Sequence, residues 1–225
     1  MSGLQPTRVW DLPTRSFHWL LAVAVVFSVI SARIGGSAMV WHFRSGYLIF
    51  TLLAFRIVWG VVGGRWSRFR AFVYAPATSW RYLRGGSRPH EHHDVGHNPL
   101  GAWSVLALLG ILIVQVATGL VADDEIASNG PLFKYASSST SAVASHWHKG
   151  WGQWIIVALV VLHLAAIAFY ALRRRQNLVA PMLHGDKLLA RDVPPSIDRP
   201  ATRVLALALL TACALGVALV ARLGD

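Results

Sequence analysis

Five apolar runs, each close to the roughly 20 residues a helix needs to cross hydrocarbon, constrain this chain more than any other feature. They cover about residues 17–34, 42–62, 100–121, 151–172 and 204–220. Backbone polar groups inside a bilayer must be satisfied within the segment, so spans of this kind are helices. The composition agrees: 55% of residues are hydrophobic and 14% are charged, against about 25% charged in soluble domains. An all-α integral membrane protein is therefore expected. The last run is short and ends at Arg222. The first run resembles the apolar part of a signal peptide, but Asp11 precedes it and no A-x-A site follows Ile30, so it is expected to persist as a helix.

Charge sets the expected topology. The chain has 21 basic and 10 acidic residues, a formal charge of +11. In a soluble protein that would point to nucleic acid. Here the basic residues lie between the apolar runs, so no nucleic-acid partner is expected. Arg65, Arg68, Arg70, Arg81, Arg84 and Arg88 separate the second and third runs. Arg173, Arg174, Arg175, Lys187, Arg191, Arg199 and Arg203 follow the fourth. The intervening loop carries Asp123, Asp124 and Glu125 against a single Lys134. The positive-inside rule places the two basic regions and the N-terminus, with Arg8 and Arg15, in the cytoplasm. The acidic loop is then outside, and so is the C-terminus if the fifth run spans. Trp19, Trp41, Trp59, Trp66, Trp103, Trp147, Trp151 and Trp154 cluster near run ends, as an interfacial aromatic belt does. Cys213 is the one cysteine, which excludes an intrachain disulfide and a CxxCH site.

The histidines carry the chemistry. His18, His42, His148 and His163 lie in or at the ends of apolar runs, where ionisable groups are rare and commonly functional. Their depths pair: His18 with His163 toward the cytoplasm, His42 with His148 toward the outside. His148 and His163 are 15 residues apart, about 22 Å of helical rise and about 60° of azimuth, so both face one interior. His146 is about 100° off that face and is the reserve ligand. Two histidines at one depth on neighbouring helices can clamp a flat metal macrocycle. Bis-imidazole ligation closes both axial positions of haem iron and favours electron transfer. Zinc would instead require a close tetrahedral set. Arg15, Arg44 and Arg56 are candidate partners for haem carboxylates, with snorkelling to the interface as the alternative for the first two.

VWDLPTRSFHWLLA, WHFRSGYLIFTLLAFRIVWGVVGGRWSRF, GHNPLGAWSVLALL and HKGWGQWIIVALVVLH resemble the bacterial cytochrome b561 family, which includes the cytochrome b subunits of nickel-dependent hydrogenases. The resemblance runs over about residues 8–190, with DDEIASNGPL and NLVAPMLHGDK in order. It implies a four-helix transmembrane core holding two non-covalently bound b-type haems through His18, His42, His148 and His163, with quinone as a substrate in many members. It also implies 14 residues between the last two histidines where this chain has 15; the additional glycine in HKGWGQ would be absorbed at the helix start or by a bulge. The expected organisation is a cytochrome b561-type domain over residues 1–190. Residues 191–225 form a cytoplasmic linker and a C-terminal transmembrane helix.

HEHHDVGH, residues 90–97, is read as a solvated polar loop, since no cysteine or helical His pair gives a metal pattern; His97 is a candidate for a quinone pocket. The acidic outer loop suits a partner of complementary charge. The expected function is a dihaem cytochrome b of the bacterial inner membrane. It would move electrons between a periplasmic cytochrome c or hydrogenase-type subunit and the quinone pool, as a carrier subunit rather than a self-sufficient enzyme. The alternatives are a stand-alone quinone reductase oxidising a small reductant such as superoxide, and a haem-free transporter, which internal repeats would support.

Overall fold

The computed structural model describes residues 3–88, 91, 93–124, 128–190 and 192–224. Among the residues discussed above, His90, His92, Glu125 and Arg191 lie outside the described residues. In chain order the elements are β1 (Gln5–Arg8), α1 (Leu12–Ile34), α2 (Met39–Val62), α3 (Pro76–Leu83), α4 (Pro99–Val121) and α5 (Ser138–His146). A π-helical segment (Trp147–Gly152) leads into α6 (Gln153–Arg173). Then come α7 (Val179–His184), β2 (Asp186–Leu189) and α8 (Pro200–Arg222). All five apolar runs are helices of membrane-crossing length, the last included.

The chain forms two compact units. One comprises Met1–Ser16, Arg56–Ala107 and His163–Leu207; the other comprises Phe17–Phe55, Leu108–Leu162 and Ala208–Asp225. The first contains both basic loops, and the second contains the acidic one.

In the first unit, β1 and β2 form an antiparallel ribbon with Gln5 opposite Leu189 and Arg8 opposite Asp186. Buried Val9, Trp10, Val95, Leu189 and Val193 make its core. Asp11 starts α1 as an N-cap: its carboxylate accepts Thr14 N–H at 2.8 Å, satisfying one of the orphan donors of the first turn. The same carboxylate accepts Ser67 Oγ–H at 2.8 Å and Trp59 Nε1–H at 3.1 Å. Trp59 is 1% exposed. It therefore departs from the expected interfacial belt, because a hydrogen-bonded partner for its indole lies inside. Asp198 accepts from Arg8 and Arg203, both at 2.8 Å, and anchors the start of α8.

In the second unit, Ala24, Ile49, Leu53, Leu112 and Ile156 form the core, with Leu21, Val25, Val116 and Val160 packed around it. Val23, Val26 and Ile30 on α1 and Leu215 and Leu219 on α8 are more than half exposed. A bilayer covers such side chains at no desolvation cost. The fourth apolar run begins earlier than expected, at Ser138. Ser137 caps α5 by accepting Thr140 N–H at 3.2 Å. The Ser- and Thr-rich start, weak in intrinsic helix propensity, hid these turns in the sequence.

Candidate functional site

His42 opens α2 and His148 lies in the π segment; both belong to the second unit. Their ring centres are 6.0 Å apart and their planes stand at 79°. Two imidazoles sharing one metal ion, each bound at about 2 Å with its ring centre roughly 1 Å behind the nitrogen, would lie about 6 Å apart, so His42 and His148 would fit that role.

The hydrogen bonds fix which nitrogen of each ring would be left for a metal. His42 Nδ1 lies 3.0 Å from the Ser28 carbonyl oxygen, and His148 Nδ1 lies 2.8 Å from that of Gln115. A carbonyl oxygen only accepts, so each Nδ1 carries the proton and donates it. Each ring then keeps its lone pair on Nε2. This is the orientation that a metal-ligating histidine adopts when its other nitrogen is held by a carbonyl.

A cavity of about 520 Å³ surrounds the pair, within the roughly 300–1,000 Å³ of small-molecule and cofactor sites. Its apolar lining includes Val25, Ile49, Phe50, Leu112 and Ile156. Gly119 meets His148 edge-on: a Cβ there would fall 2.7 Å from His148 Cε1, so a bare Cα is needed for the ring to lie where it does. The cationic lining residues are Arg33 and Lys149, with Asp123 and Asp124 also present. Arg33 stacks over Trp154 at 5.1 Å. The donor set, tautomers, volume and cations fit a haem with two imidazole ligands and anionic side chains.

The remaining candidates are placed as follows. His146 is exposed, one residue before the π segment. Arg44 is exposed and stacks over Trp41 at 4.8 Å; Arg33 and Lys149, which the sequence reading passed over, line the cavity in its stead. Arg15 donates to the Leu183 carbonyl and lies 3.9 Å from Asp198. Arg56, 3% exposed, donates to the Ser67 carbonyl at 3.0 Å and lies over the rings of Phe69 and Phe72. A main-chain acceptor and two π faces stabilise this buried cation. His18 is partly buried and edge-on to Trp19. His163 is partly buried on α6; it belongs to the first unit, and His18 to the second.

The polar loop is not solvated throughout. The His93 side chain is 7% exposed and lies edge-on to Tyr74 and Tyr82, each at 5.2 Å. Burial pushes this imidazole below its ordinary value, against the pull of nearby Glu91. Burial also pushes the Tyr82 phenol up to about 12, with a further contribution from Tyr170. Tyrosines on both sides supplied the apolar walls, a signal present in the sequence at residues 74 and 82. His97 lies between Trp10 and Phe72, 4.7 Å from each ring. Among the described residues no group of three or more histidine, cysteine or acidic residues could hold a metal ion.

Ser28, Gln115 and Gly119 are the functional positions that the sequence reading missed. Gln115 left a trace there, as an amide in an otherwise apolar stretch of α4; such groups commonly bond to a neighbouring helix.

The sequence profile of a family described as Prokaryotic cytochrome b561 matches residues 9–185. The chain is similar to the probable Ni/Fe-hydrogenase 1 B-type cytochrome subunit of Escherichia coli K12, 23% identical, with 79% of this chain and 88% of the relative covered. It is also similar to the probable Ni/Fe-hydrogenase B-type cytochrome subunits of Rhizobium leguminosarum bv. viciae (22% identical; 82% and 90% covered) and Cupriavidus necator (26% identical; 81% and 87% covered). No solved structure matches the chain at a significant level.

Proposed function

This chain belongs to the prokaryotic cytochrome b561 family, and from that premise we propose that it carries electrons across the bacterial inner membrane between a periplasmic partner and the quinone pool. It is a multi-pass membrane b-type cytochrome. The observation that carries the finer reading is the His42–His148 pair: 6.0 Å between ring centres, with both Nδ1–H groups held by main-chain carbonyls. When bound, haem iron supplies one-electron oxidation and reduction.

The protein's part is ligation, spacing and electrostatics. His42 and His148 hold the outer haem, while Ser28 and Gln115 set their tautomers. Arg33 and Lys149 neutralise its carboxylates, and the aliphatic lining keeps water from the iron. His18 and His163 hold a second haem toward the cytoplasm, a pairing supported by their matched depths in the sequence. Held by two imidazoles, a haem would favour electron transfer over oxygen chemistry.

The relatives' names attach them to Ni/Fe-hydrogenases, and a hydrogenase-type subunit is the first choice of partner; a periplasmic cytochrome c is the second. Asp123 and Asp124 share the cavity lining with His42 and His148, so the acidic loop would bring a basic partner close to the outer haem. Basic residues on the cytoplasmic loops orient the chain with its N-terminus inside and its C-terminus in the periplasm.

The test uses protein in liposomes, reduced by a membrane-impermeant donor, to which a quinone analogue is added. Rapid reoxidation of the haem bands is expected. Bands that stay reduced would contradict the quinone assignment. In the same vesicles, D123N/D124N is expected to slow reduction by a basic cytochrome c at low salt and to flatten the salt dependence; an unchanged salt profile would remove the loop from docking.

A further inference from the structure

Gln115 grips His148 twice. Its main-chain carbonyl accepts His148 Nδ1–H at 2.8 Å, and its side-chain Nε2–H donates to the His148 carbonyl at 2.9 Å. Ring and backbone of one proposed ligand are thus held by one residue on another helix.

The π segment makes this possible. Hydrogen bonds in a π turn run i→i+5, so the turn is wider than in an α-helix. A carbonyl has two lone pairs, and the one on His148 that is not used within the helix takes the amide of Gln115. The approach also needs space at Gly152. A Cβ there would fall 2.1 Å from Gln115 Oε1 and 2.8 Å from Trp147 Nε1. Among the described residues, Gln115 Oε1 and Trp147 Nε1 are both buried with no hydrogen-bond partner, so the amide end is enclosed rather than solvated. Placing an amide there costs free energy, and the bond from its Nε2–H to the His148 carbonyl is what it provides in return.

We propose that Gln115 is the positioning residue of the outer haem ligand: beside the main-chain bond that sets the tautomer, its side chain holds the His148 backbone and so fixes the plane of the ring, with Gly152 as the glycine that admits it. This rests on the reading of His148 as a ligand. It goes beyond that reading by giving the π turn a purpose: the turn exposes a carbonyl by which the ligand is held from α4.

The experiment compares wild type, Q115M and G152A as full-length, detergent-purified protein, with H148A as the control. Q115M keeps side-chain length without the donor; G152A keeps the donor and displaces it. Size-exclusion chromatography shows which variants are folded. Two quantities are read: the rate of haem transfer to excess apomyoglobin, and the low-spin ferric EPR spectrum, whose anisotropy follows the angle between the axial rings. Loss of a partner in the second shell of a metal commonly weakens affinity about 10–100-fold, and a comparable acceleration of transfer of one haem is expected in Q115M and G152A. One EPR signal should shift with it. If either folded variant keeps the wild-type transfer rate and spectrum while H148A has lost a haem, the positioning role is overturned and the ligand reading stands. If H148A keeps every haem, the ligand reading itself fails and the proposal fails with it. Should Q115M not fold, G152A, in which Gln115 is intact, decides by the same two readouts.

Discussion

A ligand histidine is specified by two nitrogens, and the one that does not touch the metal is as informative as the one that does. His42 and His148 both commit Nδ1 to a main-chain carbonyl, which no side-chain substitution nearby can remove outright. His146, two residues away and exposed, is expected to contribute nothing. Substituting alanine for His42 or for His148 should each remove one haem from the purified protein, and H146A should keep the full complement; a loss in H146A alone would exchange the two residues' roles. In the same series, R33Q/K149Q is expected to lower the midpoint potential of the haem that H148A removes, because positive charge near the carboxylates favours the reduced iron. Each tenfold change in relative affinity for the two oxidation states corresponds to about 59 mV, and an unchanged potential would separate these cations from the carboxylates. The four histidines stand out in the sequence because imidazole at matched depths in apolar runs has few structural uses, and the structure brings two of them, His42 and His148, together. Ser28 does not stand out, since serines in apolar helices are common, although both its carbonyl and its hydroxyl lie within hydrogen-bond distance of His42 Nδ1. Arg44 is put forward in the sequence for its proximity to His42, and proximity along a helix does not decide which face a side chain takes; its guanidinium stacks over Trp41.

At the scale of elements, the apolar runs predicted five helices, because hydrocarbon leaves a polar backbone no other local solution. Their ends were less legible. The polar first turns of the fourth run, SSSTSAVASH, carry no apolar periodicity, and the ribbon of β1 with β2 pairs residues about 180 positions apart, which no local pattern encodes. HKGWGQ gives no local sign of its backbone geometry in the sequence, and the structure places Trp147–Gly152 in a π turn. The start of α8 depends on one carboxylate. Burial alone would raise the Asp198 pKa, but hydrogen bonds from Arg203, Arg8 and the Leu12 N–H hold it below its ordinary value. A carboxyl with a lowered folded-state pKa contributes stability above the ordinary carboxylate value near about 4, and that contribution is lost as the pH falls below it. D198N is therefore expected to lower the melting temperature by a few °C at pH 7, with a difference from wild type that shrinks as the pH falls below about 4. A constant difference across that range would show that Asp198 acts by packing and not by charge.

At the scale of the molecule, the basic loops and the ribbon belong to one compact unit and the acidic loop to the other. The sequence reading divides the chain near residue 190, where the resemblance to the family ends, and each compact unit draws on three separate stretches of chain, a grouping that no linear pattern encodes. His42 and His148 lie within one unit. The claim of two haems, each held by two imidazoles, is tested most directly by a dithionite-reduced minus air-oxidised spectrum of the purified protein with a pyridine haemochrome count. Two b-type haems per chain are predicted. A single haem would confine the site to His42 and His148 or to His18 and His163, and a protein that takes up no haem when haem is supplied would contradict the account.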